Sequence, residues 1–244
     1  MLQAILASLL AGLATGVGGL PVIFFKKIPE RIYDALLGFA AGVMLSAASF
    51  TLIVPAIDEG GLYLALFGIA VGAAFVYFLE TLIPHLEPHF SQKPLTLTFK
   101  RAILLALAIT IHNLPEGLAV GVGYASNLPN LGLVIALAIA AQNMPEGLAV
   151  AAPLRQAGVS RFKSLFWATA SGLAEPLAAF IGLLSFGFIK SVVPFGLAFA
   201  GGAMIYVVSH ELIPESHSHG FEKEATGGVV VGFLTMIFLQ YILT

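Results

Sequence analysis

The sequence predicts an all-α polytopic membrane protein. It should have eight transmembrane helices arranged three plus two plus three, with helices 1–3 and 6–8 forming an inverted repeat. Three observations lead there. Of 244 residues, 59% are hydrophobic and only 10% are charged, whereas a soluble domain carries about 25% charged residues. Eight apolar runs are each about 20 residues long, the length needed to cross a bilayer. Finally, polar motifs recur inside these runs, where they are most costly. The chain leaves no room for a large soluble domain and reads as a single transmembrane transport domain, 1–244.

The runs are taken in order as 2–25, 33–56, 61–84, 99–126, 131–153, 161–188, 192–213 and 225–243. The first begins MLQAILASLLAG, which lacks a basic leader, so it reads as a membrane helix and not as a cleaved signal. KKIPER (Lys26–Arg31) separates runs 1 and 2, and His85–Arg101 separates runs 3 and 4. A short turn at Asn127–Asn130 makes runs 4 and 5 antiparallel neighbours. Arg155, Arg161 and Lys163 lie between runs 5 and 6, Lys190 between 6 and 7, and Lys223 between 7 and 8. Ten of the eleven basic residues thus fall on one side, which the positive-inside rule makes cytoplasmic. A multi-pass protein of the cell (inner) membrane with both termini outside is expected.

The central motif occurs twice. Run 4 contains HNLPEGLAV (His112–Val120) and run 5 contains QNMPEGLAV (Gln142–Val150), identical at seven of nine positions. Run 6 contains GLAEPLAAF, with Glu175 before Pro176. A glutamate near the centre of a membrane helix costs about 2–3 kcal/mol on insertion scales. Glu116, Glu146 and Glu175 have no lysine or arginine at similar depth, so a proton or a bound metal cation must neutralise them. Spacing favours metal. On a helix His112 shares a face with Glu116, and Gln142 with Glu146, at i, i+4. Asn113 and Asn143 stand three residues before the same glutamates. Pro115 and Pro145 donate no backbone hydrogen bond, which frees the carbonyls of Ile111 and Ala141. Imidazole nitrogen with carboxylate oxygen suits zinc and its first-row neighbours.

A second repeat is looser. FAAGVMLSAASFTLIVP (Phe39–Pro55) in run 2 matches FAGGAMIYVVSHELIP (Phe199–Pro214) in run 7. The two runs cross in opposite directions, as an inverted repeat around runs 4 and 5 requires, and such repeats place a transport site at the midplane. Run 2 ends outside with Asp58 and Glu59, a candidate entrance for cations. Run 7 ends inside with His210, Glu211, Glu215, His217 and His219. His85 and His89 lie on the same side. Glu80 joins His210, Glu211, His217 and His219 as a candidate exit. Gly38, Gly42, Gly117, Gly121, Gly123, Gly201 and Gly202 are expected to let helices pack closely and slide. Met44, in the apolar layer of run 2, reads from spacing alone as packing filler.

Some classes are excluded. Cysteine is absent, so there are no disulfides, thiolate metal sites or cysteine nucleophiles. H-E-x-x-H, G-x-S-x-G and Gly-Asp pairs are missing, and no enzyme chemistry is expected. There is no basic patch for nucleic acid. A water or solute channel with paired N-x-P motifs needs neither a histidine nor three glutamates. A proton-coupled metal exporter is the stronger alternative, because the direction of net transport follows the gradient. The bilayer and divalent metal ions are the expected partners, and a homodimer is a candidate assembly that the sequence neither requires nor forbids.

HNLPEG and QNMPEG in consecutive helices, followed by GLAEP, resemble the ZIP (Zrt-, Irt-like protein) family of divalent metal transporters, in its bacterial subgroup. The resemblance covers essentially the whole chain. It implies uptake of Zn²⁺, and often of Fe²⁺, Mn²⁺, Cd²⁺ or Co²⁺, through a two-metal centre. His112, Glu116, Gln142 and Glu146 would hold one ion. Asn113, Glu116, Asn143, Glu146 and Glu175 would hold the other, with the glutamates bridging. By its position Met44 looks like the family's additional sulfur ligand. Two features depart from the family pattern. Gln142 stands where many members have histidine, and the loop between helices 3 and 4 has only two histidines. The mechanism expected is alternating access, with helices 4, 5 and 6 moving against a scaffold that includes helices 2 and 7.

Overall fold

The computed structural model describes residues 1–86, 97–126, 128–187 and 190–243; within these, the side chains of 82–86, 97–101, 105, 187 and 190 are not described. His89 and the side chain of His85 therefore lie outside the described residues. Eight helices are long and apolar enough to cross a membrane. They are α1 (Leu2–Phe24), α2 (Glu30–Gly60), α3 (Leu62–Thr81), α4 (Ala102–Ala125), α5 (Leu131–Gln156), α6 (Arg161–Phe186), α7 (Val193–Ser216) and α8 (Glu222–Leu243). Gly61 (φ 80°) makes the abrupt turn from α2 into α3, a left-handed conformation that glycine adopts without steric cost.

The helices sort into two groups of four. In one, α1 packs along α5 and α6, α4 packs along α5 and α6, and α5 touches α6; in the other, α2 packs along α8 and α3 along α7, with the C-terminal half of α2 against α7. The seam between the groups is mainly α2 against α5 and α4 against α7. Exchanging 1 with 6, 2 with 7, 3 with 8 and 4 with 5 converts α2–α8 into α7–α3, α1–α5 into α6–α4, and α2–α5 into α7–α4. The packing thus has the symmetry of the inverted repeat. It also assigns α1 to the α4–α5–α6 group. Burial follows the same plan: 72% of the α5 window is buried but only 11% of the α8 window. Leucines and phenylalanines of α1, α3, α6 and α8 face outward.

Two helices carry a local device that the sequence reading did not contain. α2 widens to a π-helix at Ala47–Ile53, and α7 does so at Val208–Leu212. Each wide turn ends just before a proline, Pro55 or Pro214, so the two lie at matching places in the repeat. Proline removes one i→i−4 bond and its ring crowds the carbonyl of residue i−4, so the preceding turn widens. By contrast, α4 and α5 remain helical through Pro115 and Pro145.

α6 differs from the continuous helix that was expected. It stops at Gly172, turns at Leu173 and restarts at Ala174, placing Glu175 in the first turn of the new helix. The glycines correct a second expectation. Gly12 meets the Gly172 backbone, Gly147 that of Thr15, and Gly117 that of Glu175, all within the first group. Gly38 meets Ala225, Gly42 meets Val229, and Gly202 meets Ile69, all within the second. Gly121 and Gly123 likewise meet α6 and α5, and Gly201 meets α2. None of the glycines named from the sequence has its nearest neighbours across the seam. Their close contacts lie within each four-helix group.

Candidate metal centre

The doubled motif and the GLAEP stretch of α6 place their polar side chains in the interior of the molecule. His112, Asn113, Glu116, Gln142, Asn143, Glu146 and Glu175 are all buried, none more than 3% exposed. Gln142 Nε2 donates to Glu116 Oε1 at 2.6 Å, joining the two copies of the motif. Asn143 Nδ2 donates to Glu175 Oε1 at 2.6 Å and to the Ala11 carbonyl at 2.8 Å. α1 therefore borders the site through its backbone, a contribution no sequence motif announced. Glu116, Glu146 and Glu175 stand within electrostatic reach of one another, and Glu146 within reach of His112.

Many of these atoms find no partner in the protein. Both carboxylate oxygens of Glu146, one each of Glu116 and Glu175, the amide oxygens of Gln142 and Asn143, and both side-chain polar atoms of Asn113 are buried and unpaired. An unpaired buried polar atom costs about 1–3 kcal/mol, and more when charged. Among these atoms all but the Asn113 nitrogen are acceptors, so a cation satisfies the set and further hydrogen-bond donors are not required.

His112 faces another way as well. Its Nε2 lies 3.3 Å from Glu80 Oε1 and 3.3 Å from Glu211 Oε1. Among the described residues these three form the one trio of acidic or histidine ligands whose donor atoms all lie within 4.8 Å. Zinc bonds of about 2.0–2.1 Å in tetrahedral geometry put neighbouring ligand atoms about 3.3 Å apart. His210, stacked on Tyr206, brings Nε2 to 3.6 Å from Glu80 Oε2. Glu80, His210 and Glu211 line a cavity of about 610 Å³ that also reaches Glu215 and Ser218.

The other predicted residues are placed as follows. Met44 is fully buried in the core of α2. Asp58 and Glu59 are exposed at the far end of that helix, where Glu59 lines a small cavity of about 120 Å³ with Ser126 and Pro194. His217 Nδ1 bonds the Ile213 carbonyl at 2.9 Å, and its Nε2 meets Thr226 Oγ1 at 3.1 Å, which fastens the loop between α7 and α8. His219 pairs with Asp34.

Eight membrane-spanning helices around a buried, acceptor-rich centre, linked through His112 to the carboxylates of a neighbouring cavity, define a membrane transporter for metal ions. A family model described as ZIP Zinc transporter matches residues 87–240. The chain is 42% identical to the zinc transporter GufA of Myxococcus xanthus, covering 97% of each protein. It is 40% identical to the zinc transporter ZIPB of Bordetella bronchiseptica, covering 93% of this chain and 77% of that one. To the zinc transporter ZupT of Corynebacterium glutamicum it is 39% identical, again over 97% of each. The chain belongs to the ZIP family.

Proposed function

We propose that this protein carries divalent transition-metal ions, Zn²⁺ foremost, across the cell membrane into the cytoplasm through a two-ion site at the midplane. The observation that carries this reading is the set of unpaired acceptor atoms on Glu116, Gln142, Asn143, Glu146 and Glu175. His112, Glu116, Gln142 and Glu146 would hold one ion; Asn113, Glu116, Asn143, Glu146 and Glu175 the other, with Met44 as a sulfur donor. The zinc transporters GufA, ZIPB and ZupT support the same choice of ion. Cd²⁺, Fe²⁺, Mn²⁺ and Co²⁺ suit the carboxylate and amide donors as well.

An ion enters past Asp58 and Glu59, pauses at the midplane, and leaves past the cluster of Glu80, His112, His210 and Glu211. His112 belongs to both stations, so an ion moving between them keeps one ligand. The unequal cavities, about 610 Å³ at the histidine side and about 120 Å³ at the other, fit a conformation open toward the cytoplasm. Alternating access then consists of α1, α4, α5 and α6 moving as one body against α2, α3, α7 and α8. Both termini face outward, by the distribution of basic residues.

The test is metal-dependent uptake into proteoliposomes, comparing the parent with Glu116→Ala and Glu146→Ala and offering Zn²⁺, Cd²⁺, Fe²⁺ and Mn²⁺ in turn. Saturable flux abolished by both substitutions is the expected result. Flux that survives both would reduce the paired motifs to structural kinks.

A further inference from the structure

A buried carboxylate that the proposed function does not use has one of its two oxygens unpaired. Asp34, in the second turn of α2, is 0% exposed. Its Oδ1 lies 2.8 Å from Nδ1 of His219, in the loop between α7 and α8. Its Oδ2 is buried with nothing to accept from, and the neighbouring Tyr33 hydroxyl is also buried and unpaired. The Tyr33 ring meets the His219 ring edge-on at 5.5 Å, fixing the imidazole plane. Glu215 stands within electrostatic reach of Asp34, His219 and Glu211. The basic residue nearest in sequence, Arg31, one turn before Asp34, is paired with Glu224 at 2.8 Å.

The location matters as much as the pairing. Leu37, three residues after Asp34 on the helix, and Glu215 and Ser218, just before His219, line the 610 Å³ cavity that also holds Glu80, His210 and Glu211. A latch between α2 and the α7–α8 loop accounts for one hydrogen bond. It leaves the second carboxylate oxygen unexplained, and among the described residues the other buried unpaired carboxylate oxygens, on Glu116, Glu146 and Glu175, all sit at the candidate metal centre.

We propose that Asp34 and His219 form a separate divalent-cation site on the wall of this cavity, with Glu215 as a third ligand. The proposal rests on the metal-transport reading and extends it by a station beyond Glu80, His210 and Glu211. The ion takes the place of the proton shared between Nδ1 and Oδ1, and that proton passes to water. Asp34 Oδ2 gains a partner, and Glu215 closes onto the ion by a change of rotamer for which the cavity has room. One imidazole nitrogen with carboxylate oxygens selects a borderline divalent ion such as Zn²⁺ or Co²⁺.

The experiment counts Zn²⁺ bound to purified full-length protein by equilibrium dialysis and elemental analysis. The parent is compared with Asp34→Asn, His219→Gln, the double variant, and Glu116→Ala. Co²⁺ absorption provides a second readout. The expected result is loss of one equivalent in each single variant and no further loss in the double. In Glu116→Ala the Asp34-dependent equivalent persists. Should Asp34→Asn fail to remain monodisperse, His219→Gln decides alone, because His219 is half-exposed in a loop. Unchanged stoichiometry and unchanged Co²⁺ absorption in a monodisperse His219→Gln or double variant overturn the proposal. Absence of flux in the parent together with loss of the equivalent overturns the transport reading and leaves this site standing.

Discussion

Glu116→Gln removes a charge but keeps the shape of a side chain whose Oε1 accepts from Gln142 at 2.6 Å. The amide oxygen of the new residue can accept the same bond. In chelator, the variant should therefore be at least as stable as the parent, because one buried carboxylate near Glu146 and Glu175 is gone. In metal, the order reverses. A ligand saturated at a hundred times its Kd stabilises the parent by about 2.7 kcal/mol. Losing even a group that supports a ligand weakens metal sites 10–100-fold, so losing Glu116, a bridging ligand in the proposed site, should weaken binding by ~100-fold. At the same metal concentration the variant then gains only about 0.4 kcal/mol. The difference of roughly 2.3 kcal/mol corresponds to about 5–9 °C in Tm for a chain of this size. The assay is thermal unfolding in detergent, with EDTA and with Zn²⁺. A variant that loses stability in EDTA yet keeps the full zinc shift would refute the reasoning, since that is how a purely structural glutamate behaves.

Three further outcomes are expected. His112→Ala dismantles the cluster with Glu80 and Glu211 and takes a donor from the midplane site, so zinc flux should fall by about tenfold or more while the protein stays folded, by the measure of other metal-supporting groups; uptake assays with a size-exclusion control check this. Gly12→Val drives side-chain atoms into the Gly172 backbone and should destabilise the protein by about 1–3 kcal/mol, seen as a lower Tm in chelator, whereas Leu66→Val on the lipid-facing side of α3 should change little. The chain has no cysteine, so single Ser126→Cys and Ser218→Cys variants report directly on the two cavities. Without metal, Ser218→Cys should react with a soluble maleimide much faster than Ser126→Cys, and metal should change the ratio; equal rates under both conditions would sink alternating access.

The sequence disclosed what is local or periodic. Eight spans follow from apolar length; six of the seven central polar residues follow from a motif written twice, and Glu175 from the GLAEP stretch of the next helix. The packing symmetry was already visible in the match between Phe39–Pro55 and Phe199–Pro214. What escaped depends on contacts between distant segments. Asp34 and His219 lie 185 residues apart, and neither sits in a pattern that marks the other. The Ala11 carbonyl beside Asn143 is main chain and leaves no compositional trace. That His112 turns toward Glu80 and Glu211 depends on how α4 meets α3 and α7, which no spacing along one helix encodes. The glycines were recognisable as contact residues, but the identity of the facing helix was not.

The interruption of α6 at Leu173 bears on how tightly an ion is held. A helix that begins at Ala174 directs unpaired N–H groups and the positive end of its dipole toward its own first turn, where Glu175 stands. Asn143 donates to the same carboxylate. The charge of Glu175 is therefore shared between protein donors and any visiting cation, and its grip is weaker than that of a free carboxylate. Tight capture and rapid turnover oppose each other, since a site that binds too well releases too slowly. In the proposed site, the broken helix would supply one ligand already partly satisfied, which should shorten the dwell time of each ion without removing the ligand from the path.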